Sequence, residues 1–335
     1  MPLSQRARRL ILLLFVAAGL APTTWLYEPP PPRIRTLDLE FQALHRPPPG
    51  ELARQLGPFR LERAWRMTSR FSYFGGYSAL LPLGGGRLLA FSDRGLRLAF
   101  SPPGTRWQPP SIGLIVDLGD RSWELSDAES ATIDPVSRKV WVGWENANTI
   151  TRHTLAFAAF QQTWPRVMRA WGGNLGPEAM VRLADGRFVV LREGFSGLFE
   201  NRLHQALLFA GDPVAGVPPR VFSFAGPAGF SPTDMAQLPD GRVLILMRRL
   251  IWPLPARFAG RIVIADPADI REGKAWHSQA LATLESPLPI DNFEGLAIEP
   301  RANGQVTVWL ISDDNGAVMQ RTLLWKLALD PARVR

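Results

Sequence analysis

The chain of 335 residues contains no cysteine, which excludes disulfides, thiolate catalysis and Cys-ligated zinc together. Its four histidines show no paired spacing of the kind that binds a metal. The sequence also lacks a Gly-x-Ser-x-Gly elbow, a P-loop and a dinucleotide-binding fingerprint. We therefore expect neither a thiol nucleophile, nor a serine triad, nor a nucleotide-binding loop.

Long runs of lysine and arginine are also absent, although the net charge is +8. Half of that charge lies within residues 1–35, so the rest of the chain is only mildly basic. Proteins that bind nucleic acid normally mass basic residues on one face. We expect no nucleic-acid partner and only a weak general attraction to anionic partners.

The N-terminus has the layout of an export signal. Three arginines precede an apolar stretch over residues 10–21, as in the basic and apolar regions of a secretory signal. Pro22 should hinder cleavage, and the apolar stretch extends to Tyr27, about 18 residues and near the minimum for a membrane span. We expect residues 1–27 to be a signal anchor or a cleaved signal. The body would then lie on the periplasmic side of the inner membrane or be released into the periplasm.

Two proline-rich segments follow, at residues 29–32 and 47–49. Such segments are extended, semi-rigid spacers. We therefore predict a linker over residues 28–58 and a single folded body over residues 59–335.

Glycine, proline and tryptophan are abundant, with 29, 31 and 12 residues. Many turn-forming residues together with bulky strand residues are typical of an all-β chain with short strands. From about residue 60, five segments repeat one plan: a small or acidic residue, an apolar strand, a polar turn that is often Asp-Gly-Arg, and a second apolar strand. These segments begin at Ser78, Glu129, Glu178, Asp234 and Glu294.

A hairpin that recurs every ~40–60 residues is typical of the blades of a β-propeller. Residues 320–329 offer a third strand to the last unit. Residues 59–68 offer a fourth from the N-terminal side, so the ring would close without exposed edges. We predict an all-β propeller of five blades, with six as the alternative if one blade has a degenerate sequence.

The acidic residues at the strand starts suggest a shared site. In an antiparallel hairpin the start of the first strand and the end of the second lie at the same edge. If the first strand of each unit lines the axis, its acid lies at one mouth of the central channel. Residues at the second-strand ends join it there: Asp93, Arg94, Glu145, Glu193, Arg248, Arg249, Asp313 and Asp314.

Carboxylates that face one another across a narrow funnel repel, so they require a cation, arginines or raised pKa values. Oxygen ligands without cysteine or clustered histidine favour Ca²⁺ or Mg²⁺ over zinc. A single acid at a strand start also has an ordinary structural role, capping a turn or pairing with an arginine of the next blade. An acid at the same place in four repeats favours a common site over four separate turns.

Short motifs in three of the repeats form a recognisable set. They are Phe74-Gly-Gly-Tyr-Ser78 with Phe91-Ser-Asp-Arg-Gly95, Ser231-Pro-Thr-Asp234 with Leu238-Pro-Asp-Gly-Arg242, and Asp291-Asn-Phe-Glu-Gly295 with Ile311-Ser-Asp-Asp-Asn315. This set resembles the phytase-like (esterase-like) propeller family of bacteria over about residues 58–330. The resemblance implies an exported propeller with phosphoesterase or other esterase activity. It maps family motifs onto Asp291, Asn292, Glu294, Asp313, Asp314 and Asn315.

Two functions stay open, and the first is a metal-assisted hydrolase of phosphate or other esters. The predicted catalytic carboxylates are Glu129, Glu178 and Glu294. The predicted metal ligands are Glu129, Glu178, Asp234, Glu294 and Asp313. The predicted substrate-binding residues are Arg94, Arg249 and Asn292, with the arginines pairing with phosphate oxygens.

The second function is a non-catalytic, membrane-tethered propeller that binds a ligand or a protein partner. The absence of a strong nucleophile or base motif favours it, and propellers host many functions. In both cases we expect a monomer without an organic cofactor. Its partners would be a small anionic or ester substrate and, through the N-terminal segment, the membrane.

Overall fold

The computed structural model describes residues 5–25, 35–117, 125, 127–173, 175–195, 201–253 and 256–334. Within these residues, 22 strands form five sheets. We number the sheets as blades 1 to 5, in the order in which the chain reaches their first strands on the axis.

From the axis outward, blade 1 contains β3 (Tyr77–Gly84), β4 (Arg87–Ser92), β5 (Leu96–Phe100) and β6 (Ser111–Leu114). In the same order, blade 2 contains β7 (Ala128–Ile133), β8 (Lys139–Trp144), β9 (Thr149–Thr154) and β10 (Phe160–Thr163). Blade 3 contains β11 (Pro177–Arg182), β12 (Phe188–Phe195), β13 (Leu203–Phe209), β14 (Arg220–Ala225) and β18 (Ala275–His277).

Blade 4 contains β15 (Ser231–Gln237), β16 (Val243–Pro253), β17 (Ala256–Ala265) and β19 (Gln279–Leu284). Blade 5 contains β20 (Asn292–Pro300), β21 (Val306–Asp313), β22 (Leu323–Leu329), β2 (Arg60–Thr68) and β1 (Glu40–Ala43). All neighbouring strands pair antiparallel except β14 and β18, which pair parallel. The prediction of an all-β propeller with five blades is confirmed.

The five first strands surround the axis, because each contacts the first strands of the blades on either side and β20 contacts β3. Five apolar clusters occupy the five interfaces between neighbouring blades. Blade 5 is built from both ends of the body, since β2 pairs with β22. This pairing closes the ring as the sequence predicts for residues 59–68, and it leaves no free edge on β22.

The proline-rich stretch over residues 28–58 contributes to the folded body. The strand β1 pairs with β2 as the outermost strand of blade 5. Helix α2 (Pro49–Leu56) begins with proline in its first turn, where no amide partner is required, and it buries Leu56 against blades 4 and 5. The described part of the predicted linker is therefore not only a spacer.

Helix α1 (Gln5–Trp25) lies in the segment predicted to be a signal or an anchor. Residues 1–4 and 26–34 of that region lie outside the described residues. Across the described ranges, no helix combines the length and the apolarity that a membrane crossing requires. The assignment of a signal or an anchor stays a prediction.

Candidate functional site

Each first strand carries a β-bulge at the same place, just after a paired residue at the start of the strand. A bulge inserts one unpaired residue and re-aims its side chain. The bulged residues form a set that we call the bulge ring: Ser78, Glu129, Glu178, Thr233 and Glu294. Three glutamates and two hydroxyl side chains therefore occupy equivalent places around the axis.

A second set occupies the ends of the second strands. In each blade, the residue before the bulge pairs with a residue of the second strand, and the set comprises the residue that directly follows this partner. We call this set the second-strand ring: Asp93, Glu145, Glu193, Arg248 and Asp313. Because strand starts and strand ends meet at one edge of an antiparallel blade, both rings lie at the same mouth of the channel. Together they hold seven carboxylates and one arginine.

Arg248 links carboxylates from two blades. Its Nη1 atom lies 2.9 Å from Oε1 of Glu294, and its Nη2 atom lies 3.4 Å from Oε1 of Glu193 and 3.7 Å from Oε1 of Glu178. Burial alone would lower its pKa, but Glu294, Glu178 and Glu193 raise the pKa of Arg248 above its usual value. The guanidinium is therefore a permanent cation among these acids.

Asn292 completes the contacts of Arg248 on the blade 5 side. Its Oδ1 atom accepts from Nη1 of Arg248 at 3.3 Å, and its amide donates to Oε1 of Glu294 at 2.6 Å. The side chain of Asn292 is fully buried. It therefore positions Glu294 and Arg248 against each other rather than presenting a free group to a ligand.

The opposite side of the mouth holds acids without such a cation. Asp127, Glu129 and Glu145 each place a carboxylate oxygen within 4.8 Å of the others. Burial raises the pKa of Glu129 well above its usual value, and the charges of Glu178 and Glu294 raise it further. Burial likewise raises the pKa of Glu145 to about 7, although it accepts a hydrogen bond from the Gly176 amide.

A second group of three carboxylates adjoins the first. Glu145, Glu178 and Glu193 also bring one oxygen each within 4.8 Å of one another. Burial and the charge of Glu193 raise the pKa of Glu178 well above its usual value, against the opposing effect of Arg248. Glu145 belongs to both groups and so connects the two halves of this acidic surface.

Asp93 and Asp313 close the mouth between blades 1 and 5. Burial raises the pKa of both, and the charges of Glu294 and Asp93 raise that of Asp313 further. The close approach of the acids at this point requires Gly75 and Gly76, which have φ of 103° and 68°. A Cβ on Gly76 would lie 2.1 Å from Oδ1 of Asp93, which explains the Gly-Gly pair.

The structure brings most of the predicted acids together. Glu178 and Glu294 both lie beside Arg248, and burial and the charges of these two glutamates raise the pKa of Glu129. Asp313 joins them through the charge of Glu294. These four predicted residues therefore share one acidic mouth.

Asp234, the fifth predicted ligand, is used differently. Its Oδ1 accepts from the amide of Met235 at 2.8 Å, and its Oδ2 accepts from the amide of Leu296 on β20 at 2.7 Å. The carboxylate thus ties β15 to β20, and burial raises its pKa well above the usual value, against the opposing effect of the Leu296, Met235 and Leu80 amides. Thr233 occupies the place in the bulge ring that the acidic pattern of the repeats assigns to Asp234.

The sequence contains a signal that the ring position of blade 4 is Thr233 rather than Asp234. Glu178 lies seven residues before Asp185 of its Asp-Gly-Arg turn, and Thr233 lies seven residues before Asp240 of the same turn in blade 4. Counting back from the turn, rather than looking for an acid, selects Thr233.

The two predicted substrate-binding arginines lie in different surroundings. Arg249 is exposed and packs over the ring of Phe230, 4.5 Å from its centroid. Successive residues of a strand point to opposite faces, so Arg248 reaches the acids of the mouth and Arg249 does not. Arg94 lies at the mouth, with its Nε atom 3.9 Å from Oδ1 of Asp93.

The donor set of the mouth suits a hard divalent cation. It consists of carboxylate oxygens, with no sulfur ligand and no histidine in either group of three. Buried carboxylates at this density require protons or a cation, and Arg248 reaches only some of them. Asp127, Glu129, Glu145, Glu178 and Glu193 are therefore the residues that could hold a metal ion.

Fold and site together define a five-bladed propeller with an acidic central mouth. The family model for phytase-like proteins, described as esterase-like activity of phytase, matches residues 72–316. Because this match covers most of the chain, the protein belongs to the phytase-like family. No curated protein matches the sequence.

Solved structures that match this chain do so at low sequence identity and with TM-scores below 0.5. Glutaminyl cyclase of Myxococcus xanthus is 13% identical, covers 81% of this chain and 96% of its own, and has a TM-score of 0.45. The nidogen/laminin complex gives 10% identity, 87% and 97% coverage and a TM-score of 0.43. The WD40 propeller domain of Doa1 gives 11% identity, 83% and 99% coverage and a TM-score of 0.39.

Proposed function

We propose that this propeller is an exported hydrolase of phosphate or other esters, assisted by Ca²⁺ or Mg²⁺ at the acidic mouth. The observation that carries the proposal is the pair of carboxylate groups built from Asp127, Glu129, Glu145, Glu178 and Glu193. Membership of the phytase-like family supports ester hydrolysis as the reaction class.

The cation would be held by Glu145 together with Asp127 and Glu129 on one side or Glu178 and Glu193 on the other. A divalent cation bound there supplies a Lewis acid that polarises an ester oxygen. Asp313 and Glu294 add negative charge nearby, whereas Asp234 is committed to backbone amides and is not assigned as a ligand.

The catalytic carboxylates have distinct surroundings. Glu178 and Glu294 both contact Arg248, which fixes their Oε1 atoms beside one guanidinium. In the described part of the chain, no basic group lies within 4.0 Å of the Glu129 carboxylate. Glu129 is therefore the member of the trio best placed to accept a proton from an attacking water, with Glu178 and Glu294 positioned by Arg248.

Arg94 is the substrate-binding arginine in this proposal, since it lies at the mouth and its only ion pair within the described residues is the long contact to Asp93. A guanidinium offers paired donors to a phosphate or carboxylate group. Arg249 takes no part, because it packs on Phe230 away from the acids.

Hydrolysis assays on the purified protein test the proposal. With added Ca²⁺ or Mg²⁺, we expect release of nitrophenol from 4-nitrophenyl phosphate or 4-nitrophenyl acetate, or of phosphate from phytate. A chelator should abolish this hydrolysis. The Glu178→Gln/Glu294→Gln double variant should lose this activity, and Glu272→Gln, an exposed acid, should keep it. Turnover in the double variant equal to that of the wild type would refute the assignment.

The second candidate, a non-catalytic binding propeller tethered to the membrane, is favoured by one observation. Arg248 already occupies the mouth and neutralises part of its charge without a metal. Thermal melting separates the two functions, because a metal that binds only the folded state must raise the melting temperature. No shift with Ca²⁺, Mg²⁺ or chelator would favour the binding propeller.

Export is tested independently of activity. A fusion of residues 1–58 to a reporter that is active only in the periplasm should give signal, and deletion of residues 6–21 should abolish it. Equal reporter activity with and without this segment would remove export from the proposal.

A further inference from the structure

A cleft of about 770 Å³ lies beside the acidic mouth. It separates the loop of residues 69–76, which joins β2 to β3, from the loop of residues 314–322, which joins β21 to β22. Both loops lie on the mouth face, because β21 ends there and β3 begins there. The lining combines aromatic side chains with arginines, among them Phe71, Tyr73, Arg66, Arg94 and Arg321.

One end of the cleft borders the acids. Arg94 and Asp314 line it, and each directly follows a member of the second-strand ring along the chain. The guanidinium of Arg94 lies against Gly316, where a Cβ would come within 2.9 Å of its Nη2 atom. A ligand held at Arg94 is therefore next to the carboxylates of the mouth.

The walls of the cleft are tied together by Asp314. Its Oδ1 atom accepts from the amides of Gly76 and Gly316, at 3.2 and 3.1 Å. Its Oδ2 atom accepts from the hydroxyl of Thr322 at 2.8 Å. This acid joins the two loops, so the cleft is preformed rather than assembled by a ligand.

The arginines of the cleft differ in how far they are committed. Arg70 pairs with Asp38, and Arg321 pairs with Asp291. Arg66 is exposed, and no acidic group of the described residues lies within 4.0 Å of it. Arg66 and Arg94 therefore retain donors for an anionic ligand.

The aromatic wall offers an apolar surface made by two rings tilted 59° to each other. Tyr73 is 50% exposed, and its ring centroid lies 6.0 Å from that of Phe71. An exposed tyrosine backed by a half-buried phenylalanine, beside two available guanidinium groups, suits a molecule that is anionic at one end and flat and apolar at the other.

We propose that this cleft is the substrate-binding groove and that the preferred substrates are anionic esters bearing an aromatic or other flat apolar group. Arg66 and Arg94 bind the anionic group, and Tyr73 with Phe71 binds the apolar group. This inference rests on the proposed hydrolase function, since it names the substrate class of the same site.

Phosphonates test the groove without turnover, because their P–C bond replaces the ester oxygen. In calorimetric titrations, phenylphosphonate should bind the wild type about fivefold more tightly than methylphosphonate, through contact with the aromatic wall. The Arg66→Gln/Arg94→Gln double variant should weaken both probes by about tenfold or more, through loss of charge-assisted hydrogen bonds. Tyr73→Ala should remove only the preference for the phenyl group.

Arg220→Gln is the matched control, since Arg220 is an exposed arginine on the outer part of blade 3. The wild type and all three variants should melt at similar temperatures, because the changed side chains are exposed. The assignment of the groove would be refuted if the wild type and the double variant bound both probes with equal affinity. It would also be refuted if the wild type bound neither probe detectably.

Different results would refute the proposed groove and the proposed hydrolase function. Phenylphosphonate binding that follows the expected pattern, without hydrolysis of any ester, supports the groove and refutes the hydrolase. Ester hydrolysis whose KM is unchanged in Arg66→Gln/Arg94→Gln supports the hydrolase and refutes the groove.

Discussion

Blade 4 differs from the other four blades because it places no carboxylate in either ring of the mouth. Its bulge position holds Thr233, and its second-strand position holds Arg248. Every other blade has an acid at the second-strand position, and three have glutamate at the bulge. One blade thus supplies the cation that the others lack.

The difference shows how the acidic mouth is tolerated in a folded protein. Arg248 reaches acids of blades 3 and 5, but blades 1 and 2 contribute Asp93, Glu129 and Glu145 beyond its ion pairs. The side near blade 4 is neutralised by the chain itself. The far side is left for protons or for a metal ion.

The largest expected effect follows removal of the central cation. Arg248→Met leaves Glu178 and Glu294 buried without their partner, and breaking a buried ion pair in this way costs about 3–5 kcal/mol of unfolding free energy. Urea denaturation at about pH 8, where the acids are most ionised, measures it. A loss below about 1 kcal/mol would mean that Arg248 does not neutralise the mouth.

A smaller loss is expected at Asp234, the buried acid of blade 4 that accepts from backbone amides. Asp234→Asn replaces one of two accepting oxygens by a donor, so the Leu296 or the Met235 amide loses its partner, at a cost of about 1–3 kcal/mol. Specific activity of the folded fraction should be unchanged. If Asp234→Asn loses activity but keeps its full stability, Asp234 belongs to the functional site.

The acids of blades 2 and 3 should make the protein sensitive to rising pH. The pKa of Glu145 is raised to about 7 in the fold, so the folded state binds more protons than the unfolded chain between its ordinary value and about 7. Stability from this group is present at low pH and is lost as pH rises through that window.

Glu129 and Glu178, with pKa values raised well above the ordinary range, extend the loss toward higher pH. Melting temperature should fall as pH rises from 4.5 to about 7 and should continue to fall above pH 7, and saturating Ca²⁺ should flatten the decline. In the absence of metal, Glu145→Gln should flatten the low-pH part of the dependence of melting temperature on pH. A melting temperature that rises over this range would contradict the assignment of the raised pKa values.

The smallest effect on stability is expected for a change at Arg249, the residue next to Arg248. Arg249→Gln removes only an exposed cation–π contact with Phe230, worth about 0.5–1 kcal/mol. Metal response and esterase activity should match those of the wild type. Loss of either property in Arg249→Gln would show that the two arginines act together.

The propeller and its closure by residues 59–68 could be predicted from sequence because repeated hairpins have a clear pattern of turns and apolar runs. The choice between neighbouring residues could not be predicted as easily. Arg248 and Arg249 are chemically identical, and only the strand register separates them. The bulge moves the ring position from Asp234 to Thr233, which an acid-based alignment misses.

Other features depend on tertiary contacts that leave little trace in sequence. The parallel addition of β18 to blade 3 uses three residues from a segment that lies between two strands of blade 4. The strand β1 and helix α2 lie within a stretch whose prolines favour a spacer. Their positions are set by pairing with β2 and by burial of Leu56.

Anomalous diffraction from crystals soaked with Ca²⁺ tests most directly whether the acids beyond the reach of Arg248 form a cation site. We predict an anomalous peak bounded by Glu145 and either Asp127 with Glu129 or Glu178 with Glu193. A mouth without a peak at saturating Ca²⁺, with these carboxylates paired only with one another and with Arg248, would contradict a cation site at the mouth.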